Sequence, residues 1–415
     1  MATSNSYNFN VTGLDIITEA LGLAGAYSPG ESIDASESAD VLRTLNMMLK
    51  SWQMMTMGIW LNKELNLFLG NSQIKYDLGP TGDHCAINAV KTELAVVAAS
   101  GASSLTIDGT TGFADTFDRN GIITAVTAAA AGAITLTGAL VASGIATLSG
   151  ERRILIYAAG NESARTFSIV GQDSAGVAVT ENITGPNAGT VYSASTYRTI
   201  TSVTVDAATA GNIEVGQVGD PIGIELDNDT LHWTYIANAL STTPSLVTAL
   251  TGAAAIDNHV YSYTIRAPRP VQVVECRLHK ASGVDVPINV EGRLYYQTLS
   301  TKTQTGTPNQ VYYDKQLTDG ALYVWPAPTD MQDYIKFTAR LPIQDMDNLT
   351  DDFEVAQEWY LPLAWNLAVL IYPKYHDGRF IDAATALKAE ALLDEAKTSD
   401  GENTPIYIRI GQGRQ

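Results

Sequence analysis

The chain has 415 residues, too many for one ordinary hydrophobic core, and 45% of them are apolar, enough for two or three domains each to bury its own. Only 17% are charged and the formal net charge is −19. With no run of Lys or Arg anywhere, a broad electrostatic grip on nucleic-acid phosphates is excluded.

The opening residues MATSNSYNFN lack the basic and apolar segments of a secretory leader. No apolar run reaches the roughly 18 residues of a membrane span. Thr12 is placed to cap a first helix, with Asp15 completing a capping box, and Leu14, Ile17, Leu21 and Ala24 fall on one face. After the turn AYSPGES, Asp34 caps a second helix. Its stripe is Val41, Leu42, Leu45, Met48, Leu49, Trp52 and Met55, and the methionines there read as core filler. LNLFLGNSQIKYDLGP alternates around a Gly-Asn turn and predicts a hairpin.

Near residue 86 the composition changes. From Ala86 to Gly219 there are only 6 Lys or Arg and 10 Asp or Glu. Short alternating segments such as AITLT, RRILIY, RTFSIVGQD and TSVTV, separated by Gly, Asn and Ser turns, predict a small antiparallel sandwich or barrel. Asp227-Asn228-Asp229 predicts a hairpin turn between more aromatic strands. Five strands and one short helix around Glu291 to Leu299 follow up to Leu341. The end is helical again: one buried helix over Phe353 to Tyr372, with Pro362 and Pro373 near its ends, and one over Arg379 to Lys397. The second has an apolar stripe of Phe380, Ala384, Leu387 and Ala391.

The search for chemistry is mostly negative. No phosphate-cradling glycine loop, dinucleotide fingerprint or nucleophile elbow occurs. His84, His232, His259, His279 and His376 are scattered, with no pair at metal-ligand spacing. Cys85 and Cys276 carry no metal or redox spacing and read as reduced thiols of a protein assembled in a cytoplasm. The acidic cluster Asp345, Asp347, Asp351, Asp352 and Glu354 reads as a solvated loop whose carboxylates favour the following helix N-terminus. Beyond the last helix, Ile406, Tyr407, Ile408, Arg409 and Ile410 alternate as an extended strand would. They read either as a strand returning to their own domain or as one that adds to another subunit.

The segments TGLDIITEALGLAGAYSPGESIDASESADVLRTLNMMLKSWQ, DVPINVEGRLYYQ, TPNQVYYDKQLTDGALYVWPAP and EWYLPLAWNLAVLIYPKYH resemble, in that order, the head-to-tail adaptors of short-tailed phages. These are also described as tail accessory factors or packaged-DNA stabilisation proteins. The middle is similar to β modules that recur in phage virion proteins. The resemblance implies an α+β multidomain chain: a helical adaptor body built from the N- and C-terminal helices, a small β region, and a large inserted antiparallel β-sandwich or barrel region. Residues 1–85 and 346–398 form the helical parts and 265–345 the β region of the body. Residues 86–120 and 218–264 form an outer inserted module interrupted by a nested sandwich at 121–217, and 399–415 form a tail.

The implied function is structural. A homo-oligomeric ring, commonly of twelve subunits, binds under the portal protein of the virion, extends the DNA channel, retains packaged DNA and receives the tail nozzle, knob or fibre proteins. Double-stranded DNA passes without sequence-specific binding, and an acidic lumen suits such passage. The resemblance assigns portal binding to the helical body and the C-terminal tail, which places Ile406, Tyr407, Ile408, Arg409 and Ile410 there. No cofactor, metal, membrane or catalytic residue is expected. Rival readings are a peptidoglycan- or glycan-degrading virion enzyme using paired carboxylates, and a glycan-binding protein using Tyr192, Tyr197 and Trp233 of the insertion.

Overall fold

The computed structural model describes residues 9–28, 30–53 and 59–400. The chain divides into two compact units: residues up to Asn62 together with those from Leu341 onward, and Lys63–Arg340. Each is described by itself.

In the first unit, helix α1 (Gly13–Leu23) begins at a complete capping box. The Thr12 hydroxyl accepts from Asp15 N at 3.3 Å, and Asp15 Oδ2 accepts from Thr12 N at 2.8 Å. Helix α2 (Ala35–Trp52) is capped by Asp34, which accepts from Ser36 N. Their apolar faces meet a later helix, Tyr360–Tyr375, around Ile17, Leu21, Leu45, Leu363, Leu367 and Ile371, all essentially sealed from water. Trp359 packs between Trp52 and Trp60, with ring centroids 6.0 and 5.4 Å away.

That later helix starts at Tyr360, not near Phe353. The backbone of 349–352 is taken up by the start of α1: Gly13 N donates to Asp351 O and Leu14 N to Leu349 O. A chain paired in this way is unavailable for helical hydrogen bonds. The helix also runs through Pro373 to Tyr375.

The last helix, Ala383–Ser399, is capped by Asp382. The stripe expected to bury itself, Phe380, Ala384, Leu387 and Ala391, is instead exposed, Phe380 at 86% and Leu387 at 64%. The opposite positions Ala389, Leu392, Leu393 and Ala396 are buried, and Asn366 ties the neighbouring helix to this face by donating to Ala389 O.

The second unit is β. One sheet holds eight strands in the order Lys75–Leu78, Gly320–Trp325, Gln310–Asp314, Asp285–Glu291, Gln272–His279, Tyr334–Arg340, Asn62–Phe68, Cys85–Ala86. Asp285–Glu291 and Gln310–Asp314 run parallel, and the six-residue helix α3 (Arg293–Thr298) lies in the connection between them. Asn62–Phe68 and Lys75–Leu78 therefore do not form the predicted hairpin. Lys75–Leu78 pairs with Gly320–Trp325, at the far end of the sheet from Asn62–Phe68.

A second sheet of eight strands occupies residues 118–217. Two long strands, Ile145–Asn161 and Asn187–Val205, form its middle, with register shifts between Tyr192 and Thr199 that bend them. Its core is rich in isoleucine: Ile122, Ile154, Ile156, Ile169 and Ile200 are fully buried. A third sheet has the order Thr230–Tyr235, Pro221–Leu226, His259–Tyr263, Ala89–Glu93, and its own core includes Ile222, Ile224 and Val260. The chain enters and leaves the 118–217 sheet on neighbouring strands, Asp118 opposite Gln217. It enters and leaves the third sheet on another such pair, Ala89 opposite Tyr263.

Strand accounts for 39% of the chain and helix for 19%, and one sheet closes nearly into a barrel. The expected α+β architecture with a helical adaptor body is therefore corrected: the protein is mostly β, and the body is not seen. The end helices carry strong periodicity, which weighted the sequence reading towards helix. The short, charge-poor strands of the long middle carry most of the structure.

Cys85 and Cys276 are free and buried, on strands of one sheet with two other strands between them. Burial raises both thiols, Cys85 far above and Cys276 to about 12. Neither thiol is expected to react with a disulfide reagent at pH 8 in the native protein, and both should react within minutes in denaturant, a contrast of roughly a hundredfold or more. A fast-reacting native thiol would contradict the packing of this sheet.

Candidate functional site

The tail residues Ile406, Tyr407, Ile408, Arg409 and Ile410 lie outside the described residues. The acidic segment is described, and its carboxylates serve its own loop. Asp351 Oδ2 accepts from Asp347 N and Asn348 N, Glu354 accepts from Gln344 N, and Asp345 pairs with Lys50 at 2.8 Å. The helix that begins at Tyr360 has no side-chain cap hydrogen bond, while Asp352 acts electrostatically on Tyr360, its first residue. Among the described residues no group of three or more His, Cys, Asp or Glu could hold a metal. No helix among them is long and apolar enough to cross a membrane.

Titratable side chains concentrate where the β modules join. Phe68, from the first sheet, meets Trp233, Tyr261 and Tyr263 of the third at centroid distances of 5.1, 4.9 and 6.4 Å, and Tyr334 of its own sheet at 6.1 Å. Strand alternation points these rings to one face, and together they bury Phe68 to 4% exposure. His84 lies flat on the Trp233 indole, with ring centroids 3.8 Å apart and planes 7° apart. The other side of that indole lies over Gly223, where an added Cβ would come within 2.7 Å of the ring, so only glycine lets the two strands approach this way.

His84 Nδ1 is 2.7 Å from the Tyr263 hydroxyl, which also accepts from Arg266 Nε at 3.4 Å. Burial first, and the Arg266 charge second, hold His84 well below the ordinary imidazole range. Along the same strand, His259 lies between Glu225 at 3.7 Å and Glu93 at 3.6 Å. Burial, then Lys91, lower it against the pull of these carboxylates. Glu225 is itself occupied, accepting from His259 N and from Gln332 Nε2, each at 3.0 Å.

The 118–217 sheet and the third sheet meet at a second junction. Arg152 is 1% exposed and its guanidinium reaches Asp220, also 1% exposed, at 2.5 Å. Arg152 Nη2 donates in addition to Thr264 O, and Asp220 accepts from the hydroxyls of Thr116 and Thr264 at 2.7 and 2.9 Å. Gln217 extends the network by donating to Thr116 O and to the Ser149 hydroxyl. Arg152 Nε has no partner there. Two strand connections and a neighbouring strand thus converge on one buried ion pair.

These junctions are hard to read from sequence, with one exception. Arg152 shares strand parity with Ile154 and Ile156, which places it on the core side of a segment almost empty of charge. Of the residues put forward for glycan binding, Tyr197 is fully buried and Trp233 is covered by His84, so neither is an exposed platform; Tyr192 is half-buried. The remaining histidines are bound locally. His232 faces Thr251 and Thr248, His279 pairs with Asp285 at 2.6 Å, and His376 faces Ala24 O at 2.8 Å. No protein-family model matches the chain, and no curated protein matches it.

Proposed function

We propose that the chain is a structural component of a phage head-to-tail junction, acting as a subunit of a ring that binds the portal and receives the tail. The observation that carries this reading is the outer stripe of the last helix. Ala384, Leu387 and Ala391 form an apolar face that stays exposed although the opposite face of the same helix is already packed, and Phe380, just before the helix, is exposed as well. An apolar stripe at helical spacing that none of the described residues covers suits an assembly surface. The ordered sequence resemblance supports the choice of assembly, and the net charge of −19 suits a channel that DNA slides through.

Native mass spectrometry of the chain, alone and mixed with portal rings from the same virion, tests the proposal. A complex containing many copies of the chain per portal ring is the expected result. A chain that stays unbound in both samples, or that solubilises purified cell wall, would overturn it.

A further inference from the structure

We propose that the inserted β modules are released from the sheet that carries them when His84 takes up a proton. The geometry of the Tyr263 hydroxyl is the starting point. It accepts from Arg266 Nε and lies 2.7 Å from His84 Nδ1, and arginine is always a donor. The arrangement that satisfies all three groups points the phenolic proton to a bare Nδ1, which assigns His84 as the neutral tautomer protonated on Nε2. Arg266, Tyr263, His84 and Trp233 form one relay across the seam between the first and third sheets.

A proton on Nδ1 reverses the central bond. Tyr263 would then have to accept from both cations, and its own proton would face the rings of Phe68 and Trp233. The imidazolium would gain some cation–π attraction from the Trp233 face. Against that stand the Arg266 charge and the loss of the Tyr263 bond.

Glu151 acts on Arg266 and Arg152 on Tyr263, one charge of each sign, and neither acts on His84 itself. Asp83, beside His84 in sequence, already accepts from Asp77 N at 2.7 Å and from Gln73 Nε2 at 3.2 Å. Tyr235 and Tyr261 stay neutral, since burial raises both phenols, and burial raises the Cys85 thiol likewise. The strand Asn62–Phe68 brings the Phe68 ring to the seam, its Phe68 N–H donates to His84 O, and its uncharged Asn66 donates to Ala86 O and Ile87 O. His259 has carboxylates beside it, yet burial and Lys91 keep it lowered too, so it adds to the acid response rather than opposing it.

The sign follows from linkage. A histidine lowered in the closed junction and ordinary in the open one leaves the closed form at full strength above the ordinary imidazole value. Closure then weakens as pH falls below it. One such proton multiplies the open population by about ten for each pH unit. This release needs no partner and is independent of any role in a virion.

Hydroxyl-radical footprinting of the full chain, read at Phe68 by mass spectrometry, tests it. Between pH 6.5 and 5.5 the oxidation rate of Phe68 is expected to rise about fivefold, approaching tenfold per unit only at lower pH. His84→Asn keeps an acceptor for Tyr263 and cannot be charged, and its rise over the same interval should be smaller by about that fivefold factor. A Phe68 rate independent of pH, or an equal slope in the variant, overturns the proposal. Should His84→Asn fail to fold, His84→Gln, which also carries an acceptor oxygen and cannot be charged, takes its place, and a rise equal to the parent's there overturns the proposal equally.

Discussion

Replacing Asp220 by Asn is expected to destabilise the region where the third sheet meets the 118–217 sheet by about 3–5 kcal/mol, the usual cost of leaving one member of a buried ion pair uncompensated. Arg152 keeps its charge at 1% exposure and loses the carboxylate it is paired with. The hydroxyls of Thr116 and Thr264 lose a charged acceptor as well. Arg152→Met should cost a similar amount for the converse reason. The double replacement Arg152→Met with Asp220→Leu is expected to recover most of the loss, because two apolar side chains need no partner and fill a similar volume. The chain has several cores, so a single unfolding midpoint would average over them. Native-state hydrogen exchange in Ile213–Gln217 and Pro221–Leu226 is the suitable measurement. If the two single variants exchange at parental rates there, the pair is not what holds these sheets together. If the double variant is as weak as either single one, the cost comes from lost packing and not from the orphaned charge.

Local chemistry was well legible in the sequence, and long-range pairing was not. Thr12 with Asp15, and Asp34 before α2, were readable because a cap depends on residues three positions apart. The Asp227–Asp229 turn between Pro221–Leu226 and Thr230–Tyr235 was readable for the same reason. The five strands and single short helix between residues 269 and 341 also followed from local alternation. The partner of Lys75–Leu78 did not, since adjacency in sequence favoured a hairpin and the strand instead pairs with a segment some 240 positions away. The last helix shows another limit. It carries two apolar faces, and periodicity alone cannot say which one its own chain will cover. The junction residues were invisible for a related reason. His84, Trp233, Tyr263 and Arg266 sit on three separate segments, and only the fold makes them neighbours.

Removing residues 90–262 and joining Ala89 to Tyr263 through an Asn-Gly turn is expected to leave a folded protein. Ala89 and Tyr263 are opposite one another in an antiparallel pair, so their Cα atoms stand about 5 Å apart, a gap that a two-residue hairpin turn closes. The excised stretch takes with it two apolar clusters, one around Ile154 and Ile200 and one around Ile222 and Val260. Neither includes a residue of the sheet that remains. What the remainder loses is the cover over Phe68, since Trp233 and Tyr261 are gone. Exposing one phenylalanine ring costs about 1.5–3 kcal/mol and creates a sticky spot, so the deletion should be made together with Phe68→Thr. The shortened chain should keep its helical circular dichroism signal and melt cooperatively, and if the assembly proposal holds it should still join portal rings through the exposed stripe of the last helix. An insoluble or unfolded product, even with Phe68→Thr, would mean that the inserted modules are part of the folding core of the sheet. A folded product that no longer joins the portal would leave the modular reading intact and move the portal contact into the insertion.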